Sequence, residues 1–284
     1  MKDVQQNMLK MAEGMPAFPK SVHRVLELTS DINCDAKELV RVIEHDPVLI
    51  LKILKLVNSA SFGLYQKITS INHAVVYLGL NTVKNLAIIT ATIGVLPRKN
   101  KAGLEMDQFL LHSLATAAIA KILASKMGVP DADLFDYFLA GLLHDIGKVV
   151  FAQFVPNKYK TALDNAIKKE IPLYESERAA VGADHCQMGS MVAAKWQLPA
   201  SLVDCIREHH GDTGENISDQ RLSDYLFIAN QVSKELKIGF AGESLLDEIP
   251  DRIAKRFGKN LQEIIAFIGD ISGEVDKALV FIKN

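Results

Sequence analysis

The octapeptide GLLHDIGK, residues 141–148, lies at the middle of the chain, inside an apolar run that spans residues 138–154. A neighbouring histidine and aspartate are costly to bury in such a run unless hydrogen bonds or a metal ion satisfy them. A neutral imidazole beside a carboxylate suits Zn, Fe or Mn ions. His144 and Asp145 are therefore interpreted either as a pair of metal ligands or as a hydrogen-bonded helix end.

The composition is that of a globular protein. Hydrophobic residues make up 49% of the 284 positions and charged residues 23%, enough for one large domain or two ordinary ones. The net charge of −2 argues against a general nucleic-acid binder, which needs a basic face. The three cysteines are scattered and form no Cys-x-x-Cys pair, which predicts a reducing, cytoplasmic setting.

The apolar segments do not indicate a membrane protein. The N-terminal residues 1–10 are polar and lack the core of a signal peptide. The longest strongly apolar run, residues 86–96, contains two threonines and a glycine and is too short to cross a bilayer. We therefore expect no membrane partner.

Signals for helix starts and ends recur along the chain, whereas the alternation typical of strands is nearly absent. The pair Asp46-Pro47 is a typical start, with aspartate as the N-cap and proline in the first turn. Apolar residues then recur at helical spacing from Leu49 to Val57. The sequence predicts an all-α fold, a multi-helix bundle with an N-terminal helical module.

A charged, glycine-containing segment, residues 98–103, is the candidate boundary between modules. We predict an N-terminal helical module over residues 1–100. A second helical module, which contains the histidine and aspartate cluster, is predicted over residues 101–236. Residues 237–284 are predicted to form a C-terminal helical extension.

The octapeptide is expected to lie on one continuous helix. That helix starts at Asp131 or Asp133 and carries both His144 and Asp145. The segment that follows it, residues 156–175, is interpreted as a polar excursion of lower core content.

Two further helix ends are predicted to carry histidines. Asp184 is a candidate N-cap, which places His185 at the start of a helix. His209 and His210 are expected in the last turn of the next helix, with Gly211 as the residue that closes it.

Five of the eight histidines lie between residues 112 and 210, each on or at the end of a helix with an apolar face. A lone helical histidine is usually a packed or surface residue, but helices of a bundle can bring several to one metal centre. The five are His112, His144, His185, His209 and His210. A metal-bound histidine normally donates a hydrogen bond from its other ring nitrogen to an acceptor. The candidate acceptors nearest in sequence are Asp184, Asp204 and Glu208.

The order of these residues resembles the HD superfamily of metal-dependent phosphohydrolases. The octapeptide is nearly the whole of the superfamily's central signature, and the matching positions are His112, His144-Asp145, His185, His209-His210 and Asn230.

The first half of the chain resembles the HDOD family, the HD-related output domain. Its matching motifs are Met15-Pro16-x-x-Pro19, Ile43-x-x-Asp46-Pro47-x-Leu49, Leu56-Val57-Asn58-Ser59-Ala60-x-Phe62-Gly63 and Ile71-x-x-Ala74-Val75-x-x-Leu78-Gly79, followed by Leu86. The resemblance covers residues 12–235 and implies an all-helical output or regulatory module of bacterial signal transduction.

The resemblance also implies a metal site. It implies a divalent transition metal (Fe, Mn or Zn) in one or two positions. His112, His144 and Asp145 match three ligands of the first metal. Asn230 stands where the superfamily has the fourth ligand, an aspartate, and a neutral amide is the poorer ligand. The ligands implied for a second metal are His185, His209 and His210. The chain lacks the Gly-Tyr-Pro motif that follows the histidine pair in the HD-GYP branch, which makes cleavage of cyclic dinucleotides doubtful.

Asp145 and Lys148 are the candidate catalytic residues. Lys148 is interpreted either as a partner for a substrate phosphate or as a solvated lysine at a helix end. Asn58 and Ser59 either end a helix or contact a ligand, and helix termination is the favoured interpretation.

Three functions remain open from the sequence. The first is a regulatory HDOD module that binds a signalling protein or a small phosphorylated ligand, which the HDOD motifs and Asn230 favour. The alternative is a metal-dependent phosphohydrolase that acts on a nucleotide or another phosphoester, which the retained histidines favour. A third is a metal-binding sensor without turnover, stabilised by the ion that it binds.

Overall fold

The computed structural model describes residues 2–17, 20–29, 36–59, 64–131, 133–211 and 218–283. Within these ranges the regular structure is helical and contains no strand, so the predicted all-α fold is confirmed. The helices are α1 (Lys2–Gly14), α2 (Lys20–Thr29), α3 (Ala36–Glu44), α4 (Pro47–Val57), α5 (Ile71–Leu78), α6 (Leu80–Val95), α7 (Met106–Lys126), α8 (Leu134–Leu143), α9 (Ile146–Phe154), α10 (Pro156–Lys169), α11 (Leu173–Ala180), α12 (His185–Lys195), α13 (Ala200–Arg207), α14 (Gln220–Glu235), α15 (Asp251–Phe257), α16 (Leu261–Ile268) and α17 (Ser272–Lys283).

The chain divides into two compact units. Unit 1 comprises Met1–Met15 and Pro97–Val275, and unit 2 comprises Pro16–Leu96 and Asp276–Asn284. The predicted N-terminal module, residues 1–100, includes α1, whereas the structure places α1 in unit 1. It also places most of the predicted C-terminal extension in unit 1.

The C-terminal end of α1 is fastened to α12 by one lysine. The Lys195 ammonium donates hydrogen bonds to the carbonyl oxygens of Ala12, Glu13 and Met15, at 3.1, 2.7 and 2.6 Å. The last carbonyl groups of a helix have no partner within it and carry partial negative charge, so a lysine there is favourable. Helix α1 also packs against α9, so its contacts join it to unit 1.

Helix α7 is the long helix around which unit 1 packs, and it contacts α8 and α14 extensively. Among the described residues it is the one helix long and apolar enough to cross a membrane. Within the structure, 72% of its most apolar stretch is buried by the rest of the protein. Buried core helices pass the same test of length and composition, so this helix is weak evidence for a membrane span.

Unit 2 contains the motif residues of the first half of the chain. Asp46 caps α4 as predicted, because its side chain accepts a hydrogen bond from the backbone N–H of Leu49 at 3.0 Å. Asn58 ends the same helix, and its amide donates to the carbonyl groups of Leu54 and Ile68 while accepting from the Ile68 N–H. Helix termination, the favoured interpretation of Asn58, is therefore confirmed. The motif residues Pro19, Ala60, Phe62 and Gly63 lie outside the described residues.

The octapeptide does not lie on one helix, as predicted, but at the junction of two. Helix α8 ends at Leu143 and α9 begins at Ile146. Asp145 has φ −96° and ψ 9°, outside the regular helical range, and the chain changes direction there. The apolar periodicity continues through the junction, which is why the sequence pattern concealed the break.

The segment predicted as a polar excursion is helical. It forms α10 and the start of α11, and its buried residues include Tyr159, Leu163 and Leu173. The polar residues lie on the outer face of α10, and the inner face packs against α9 and α11. Low overall hydrophobicity therefore concealed an amphipathic helix.

Candidate metal centre

Two clusters of potential metal ligands meet at Asp145 in unit 1. The first cluster consists of His112, His144 and Asp145, and the second consists of His185, Cys186, His209 and His210. In each cluster the donor atoms all lie within 4.8 Å of one another. The structure thus brings together the histidines and the aspartate that the sequence singled out, from α7, the α8–α9 junction, α12 and the turn after α13.

The carboxylate of Asp145 is buried, with 1% of its side chain exposed, and its two oxygens face different clusters. Oδ2 lies 3.3 Å from His144 Nε2 and 3.8 Å from His112 Nε2. Oδ1 lies 3.4 Å from His185 Nε2 and 3.5 Å from His209 Nε2. One carboxylate is therefore shared by both clusters.

Two glycines of the octapeptide allow this convergence. A methyl group on Gly141 would lie 2.5 Å from the Ala117 Cα, so α8 crosses α7 in direct backbone contact there. A methyl group on Gly147 would lie 2.0 Å from the His185 carbonyl oxygen and 2.8 Å from the Gly189 nitrogen. Glycine is the residue that permits such close approach, and here it brings α9 against the start of α12.

In all five histidines Nδ1 faces a partner outside the clusters. The Nδ1 atoms of His144 and His209 lie 2.8 and 2.7 Å from the carbonyl oxygens of Gly141 and Ile206. A carbonyl oxygen only accepts, so these Nδ1 atoms carry the hydrogen. The remaining Nδ1 atoms contact side-chain oxygens: His112 contacts Ser233 at 3.3 Å, His185 contacts Glu177 at 2.6 Å and His210 contacts Asp247 at 3.0 Å.

The Nε2 atoms of His144 and His209 consequently point into the clusters with their lone pairs, and oxygen partners at the Nδ1 atoms of the other three histidines favour the same form. Burial lowers the pKa of His112, His185, His209 and His210, which favours neutral imidazoles. A neutral imidazole with hydrogen on Nδ1 offers a lone pair on Nε2, the form that binds metals.

The spacing of these atoms fits a shared cation. His185 Nε2 lies 3.3 Å from His209 Nε2 and 3.1 Å from His210 Nε2. Lone pairs at that separation repel each other, whereas two nitrogens bound to one Zn ion at about 2.0–2.1 Å in tetrahedral geometry are separated by roughly 3.3 Å. Several buried atoms also have no hydrogen-bond partner among the described residues, namely Nε2 of His112, Nε2 of His144, Oδ1 of Asp145 and Oδ1 of Asn230. The residues present therefore fit divalent metal ions.

Asn230 lies on α14 and is 1% exposed. It precedes Ser233, which contacts His112, by three residues, so the two share one face of the helix. Its Oδ1 has no hydrogen-bond partner among the described residues, and the resemblance to the HD superfamily assigns this position to a metal-ligating aspartate. A neutral oxygen provides less charge to offset a divalent cation.

Lys148 is buried rather than solvated, so the interpretation as a solvated lysine is wrong. Its ammonium lies 2.9 Å from Asp145 Oδ2. Burial alone would lower the pKa of Lys148, but the carboxylates of Asp145, Glu243 and Glu177 raise it above its usual value. Burial alone would likewise raise the pKa of Asp145, which His144 and Lys148 hold well below its usual range. The pair is a buried ion pair at the edge of the first cluster.

The partners of the histidine Nδ1 atoms differ from those suggested by sequence proximity. Asp184 caps α12 and pairs with Arg178, Asp204 accepts from Arg207 and Ser218, and Glu208 pairs with Arg207. None of the three is among the Nδ1 partners found within the described residues. The side chains that do serve His185 and His210 are Glu177, on α11, and Asp247, in the segment after α14. Neither carries a sequence signal, because the fold alone brings it to the site.

Glu177 is completely buried and accepts from both the Nδ1 and the backbone N–H of His185. We expect Glu177→Gln to weaken zinc binding at the second cluster by about 10- to 100-fold, since a carboxylate acceptor raises the basicity of a metal-bound imidazole. Zinc titration by calorimetry measures the change. Glu170→Gln, at the exposed end of α10, is the matched control and should bind as the parent does. If Glu177→Gln bound zinc as tightly as the parent, Glu177 would not support metal binding through His185.

A polar pocket of about 640 Å³ opens onto the second cluster. Cys186 and His210 contribute to its wall, and Tyr174, Arg178 and Arg207 line it further out. Burial raises the pKa of the Cys186 thiol well above its ordinary value. The second cluster therefore has a route to solvent through a polar opening.

Comparisons with known proteins show the family of the chain. The HDOD domain family matches residues 15–211. The chain belongs to the HDOD family. An uncharacterized protein from Treponema pallidum (strain Nichols) is 26% identical over 245 residues, which cover 86% of this chain and 46% of that protein. The HDOD chain thus spans less than half the length of this relative.

Two other relatives show the extent of the likeness. Ribonuclease Y from Mycoplasma mycoides subsp. mycoides is 26% identical over 161 residues, which cover 55% of this HDOD chain and 25% of the ribonuclease. A crystal structure from Marinobacter aquaeolei VT8, named as a candidate signal transduction protein, superposes with a TM-score of 0.81 at 20% identity. It covers all of this chain and 66% of the other, and at that identity it shows a shared fold.

Proposed function

We propose that this chain is a regulatory HDOD module of bacterial signal transduction that holds divalent transition metal ions at its two clusters. The observation that carries the proposal is the pair of clusters, which keep their histidine and carboxylate donors while Asn230, a buried neutral amide, stands where the resemblance places a fourth ligand, an aspartate. The missing carboxylate argues against turnover. The partner is a signalling protein or a small phosphorylated ligand, and the setting is the cytoplasm, where thiols such as Cys186 and Cys205 stay free.

The residues have distinct roles in this proposal. The ions, Fe, Mn or Zn, would supply positive charge and Lewis acidity for a phosphate group when bound. His112, His144 and Asn230 would hold the first ion, and the residues of the second cluster would hold another. Asp145 would contribute one carboxylate oxygen to each ion. Lys148 holds the Asp145 carboxylate in place through its 2.9 Å contact.

Metal-dependent hydrolysis of a phosphoester is the second candidate function. The feature that favours it is the Asp145 carboxylate, whose two oxygens face separate clusters as in enzymes that use two metal ions. Because of the likeness to ribonuclease Y, RNA belongs among the substrates to be tested, beside nucleotides and phosphomonoesters.

The substitution Asn230→Asp distinguishes the two functions. Restoring a carboxylate is expected to raise metal affinity at the first cluster by roughly tenfold, the equivalent of about 1.4 kcal/mol. For a regulatory module we expect no phosphoester turnover in either form. The assay uses metal-loaded protein and follows release of phosphate or nucleotide, with Asn157→Asp on the exposed face of α10 as the matched control. A gain in turnover from a measurable baseline, confined to Asn230→Asp, would favour the enzyme instead.

A further inference from the structure

Cys186 stands among the imidazoles of the second cluster. Its Sγ lies 4.0 Å from His209 Nε2 and within 4.8 Å of a ring nitrogen of both His185 and His210. It follows His185 directly at the start of α12, where the Asp184 cap fixes the first turn of the helix. Two donors of different chemistry therefore project from adjacent positions into one cluster.

The separation between Cys186 Sγ and His209 Nε2 is close to that of two ligands of one ion. A zinc ion binds sulfur at about 2.3 Å and imidazole nitrogen at about 2.0–2.1 Å, so tetrahedral geometry separates the two donors by roughly 3.5 Å. The observed 4.0 Å requires a shift of only a few tenths of an ångström in a flexible side chain. The three imidazoles are already spaced as ligands of a common ion.

We propose that Cys186 is a direct metal ligand, a thiolate that joins the imidazoles of His185, His209 and His210 and the shared Asp145 carboxylate around the second ion. The inference rests on the proposed metal centre and specifies the chemistry of its second position. When the ion binds, the thiol releases its proton to solvent and the sulfur bonds to the metal as thiolate. A thiolate favours zinc, cobalt or ferrous iron over manganese or magnesium. The first cluster offers only nitrogen and oxygen donors, so the two positions differ in metal preference.

The competing explanation is a hydrogen bond. In that case the Cys186 thiol donates to the His209 Nε2 lone pair, and the sulfur does not bind the ion. A sulfur–metal bond has a direct signature that a hydrogen bond lacks, because thiolate-bound Co²⁺ absorbs in the near ultraviolet through sulfur-to-metal charge transfer.

The experiment loads the full chain with Co²⁺ and records the near-ultraviolet spectrum as the ion is added. The variant Cys186→Ser keeps a hydroxyl donor of similar size, and Cys205→Ser is the matched control at a buried cysteine outside both clusters. The double variant Cys34→Ser/Cys205→Ser leaves Cys186 as the one remaining cysteine of the three in the sequence. It keeps the test decisive should Cys186→Ser fail to fold.

We expect the charge-transfer band in the parent and in the double variant, and its loss in Cys186→Ser. Zinc affinity at the second cluster should fall at least about tenfold in Cys186→Ser, as for other changes close to a metal. Cobalt bound without the band would overturn the role of Cys186 and leave the proposed metal centre intact. A band that persists in Cys186→Ser would also overturn it. No cobalt bound at all would overturn the metal centre itself.

Discussion

Replacing Asp145 with asparagine is expected to remove metal from both clusters at once. Each carboxylate oxygen faces a different cluster, so one substitution takes a charged donor from each. Changes to residues that only support a metal ligand weaken metal binding by about 10- to 100-fold. Because Asp145 is itself a proposed ligand, we expect its substitution to lower the affinity for zinc at least about 100-fold at both positions. Elemental analysis of protein purified without a chelator or a histidine tag gives the metal content, and zinc titration gives the affinities.

Two single-cluster variants are the controls for Asp145→Asn. His112→Ala should lose metal from the first cluster alone, and His210→Ala from the second alone. If Asp145→Asn retained one full equivalent of metal, the carboxylate would not be shared between the clusters.

A double variant separates the effect of Asp145→Asn on metal binding from its effect on folding. In Asp145→Asn the Lys148 ammonium is left buried without its carboxylate, and breaking such a pair costs about 3–5 kcal/mol. The double variant Asp145→Asn/Lys148→Met removes that unpaired charge. It should recover most of the free energy of unfolding, measured with urea in the presence of a chelator, while still binding no metal. Recovery of metal binding together with stability would show that the single variant had lost metal only by unfolding.

The second large effect is expected at Gly147. Gly147→Ala places a methyl group 2.0 Å from the His185 carbonyl oxygen, and the neighbouring backbone of α12 cannot yield as a flexible side chain would. We expect a loss of about 3 kcal/mol in the free energy of unfolding, despite the better helix propensity of alanine. Zinc affinity at the second cluster should fall as well, because α12 carries His185. Urea unfolding and zinc titration measure the two effects.

Gly273→Ala is the matched control for Gly147→Ala. Gly273 lies in α17, and a methyl group there would meet no atom within 4 Å. This variant should be neutral or slightly more stable than the parent. A Gly147→Ala protein as stable as Gly273→Ala would show that α9 and α12 can separate without cost.

Much of the candidate site follows from sequence because its residues stand in marked positions. His144 and Asp145 interrupt a long apolar run, and His185 follows a capping aspartate. Residues of this kind can be singled out without tertiary information. The all-α fold was predictable for the same reason, since caps and apolar periodicity are local properties.

The rest of the site depends on contacts between distant segments. Glu177 and Asp247 become partners of His185 and His210 only through the packing of α11 and the segment after α14. The break between α8 and α9 lies at His144 and Asp145, and the close approach of α9 to α12 follows at Gly147; the apolar pattern records neither. The burial of Lys148 likewise depends on the completed fold. Local patterns identify which residues are unusual, but the surrounding charges and acceptors are determined by tertiary structure.

The assignment of α1 to unit 1 has a consequence for how the chain can be divided. Residues 16–96 interrupt unit 1, since α1 precedes them and α7 follows them. They form an insertion joined to its host at both ends, not a domain that simply comes first. A truncation that began at residue 97 would discard α1 and leave Lys195 without its three carbonyl acceptors. Isolating the unit that carries the two clusters therefore calls for an internal deletion that joins residues 1–15 directly to residues 97–275.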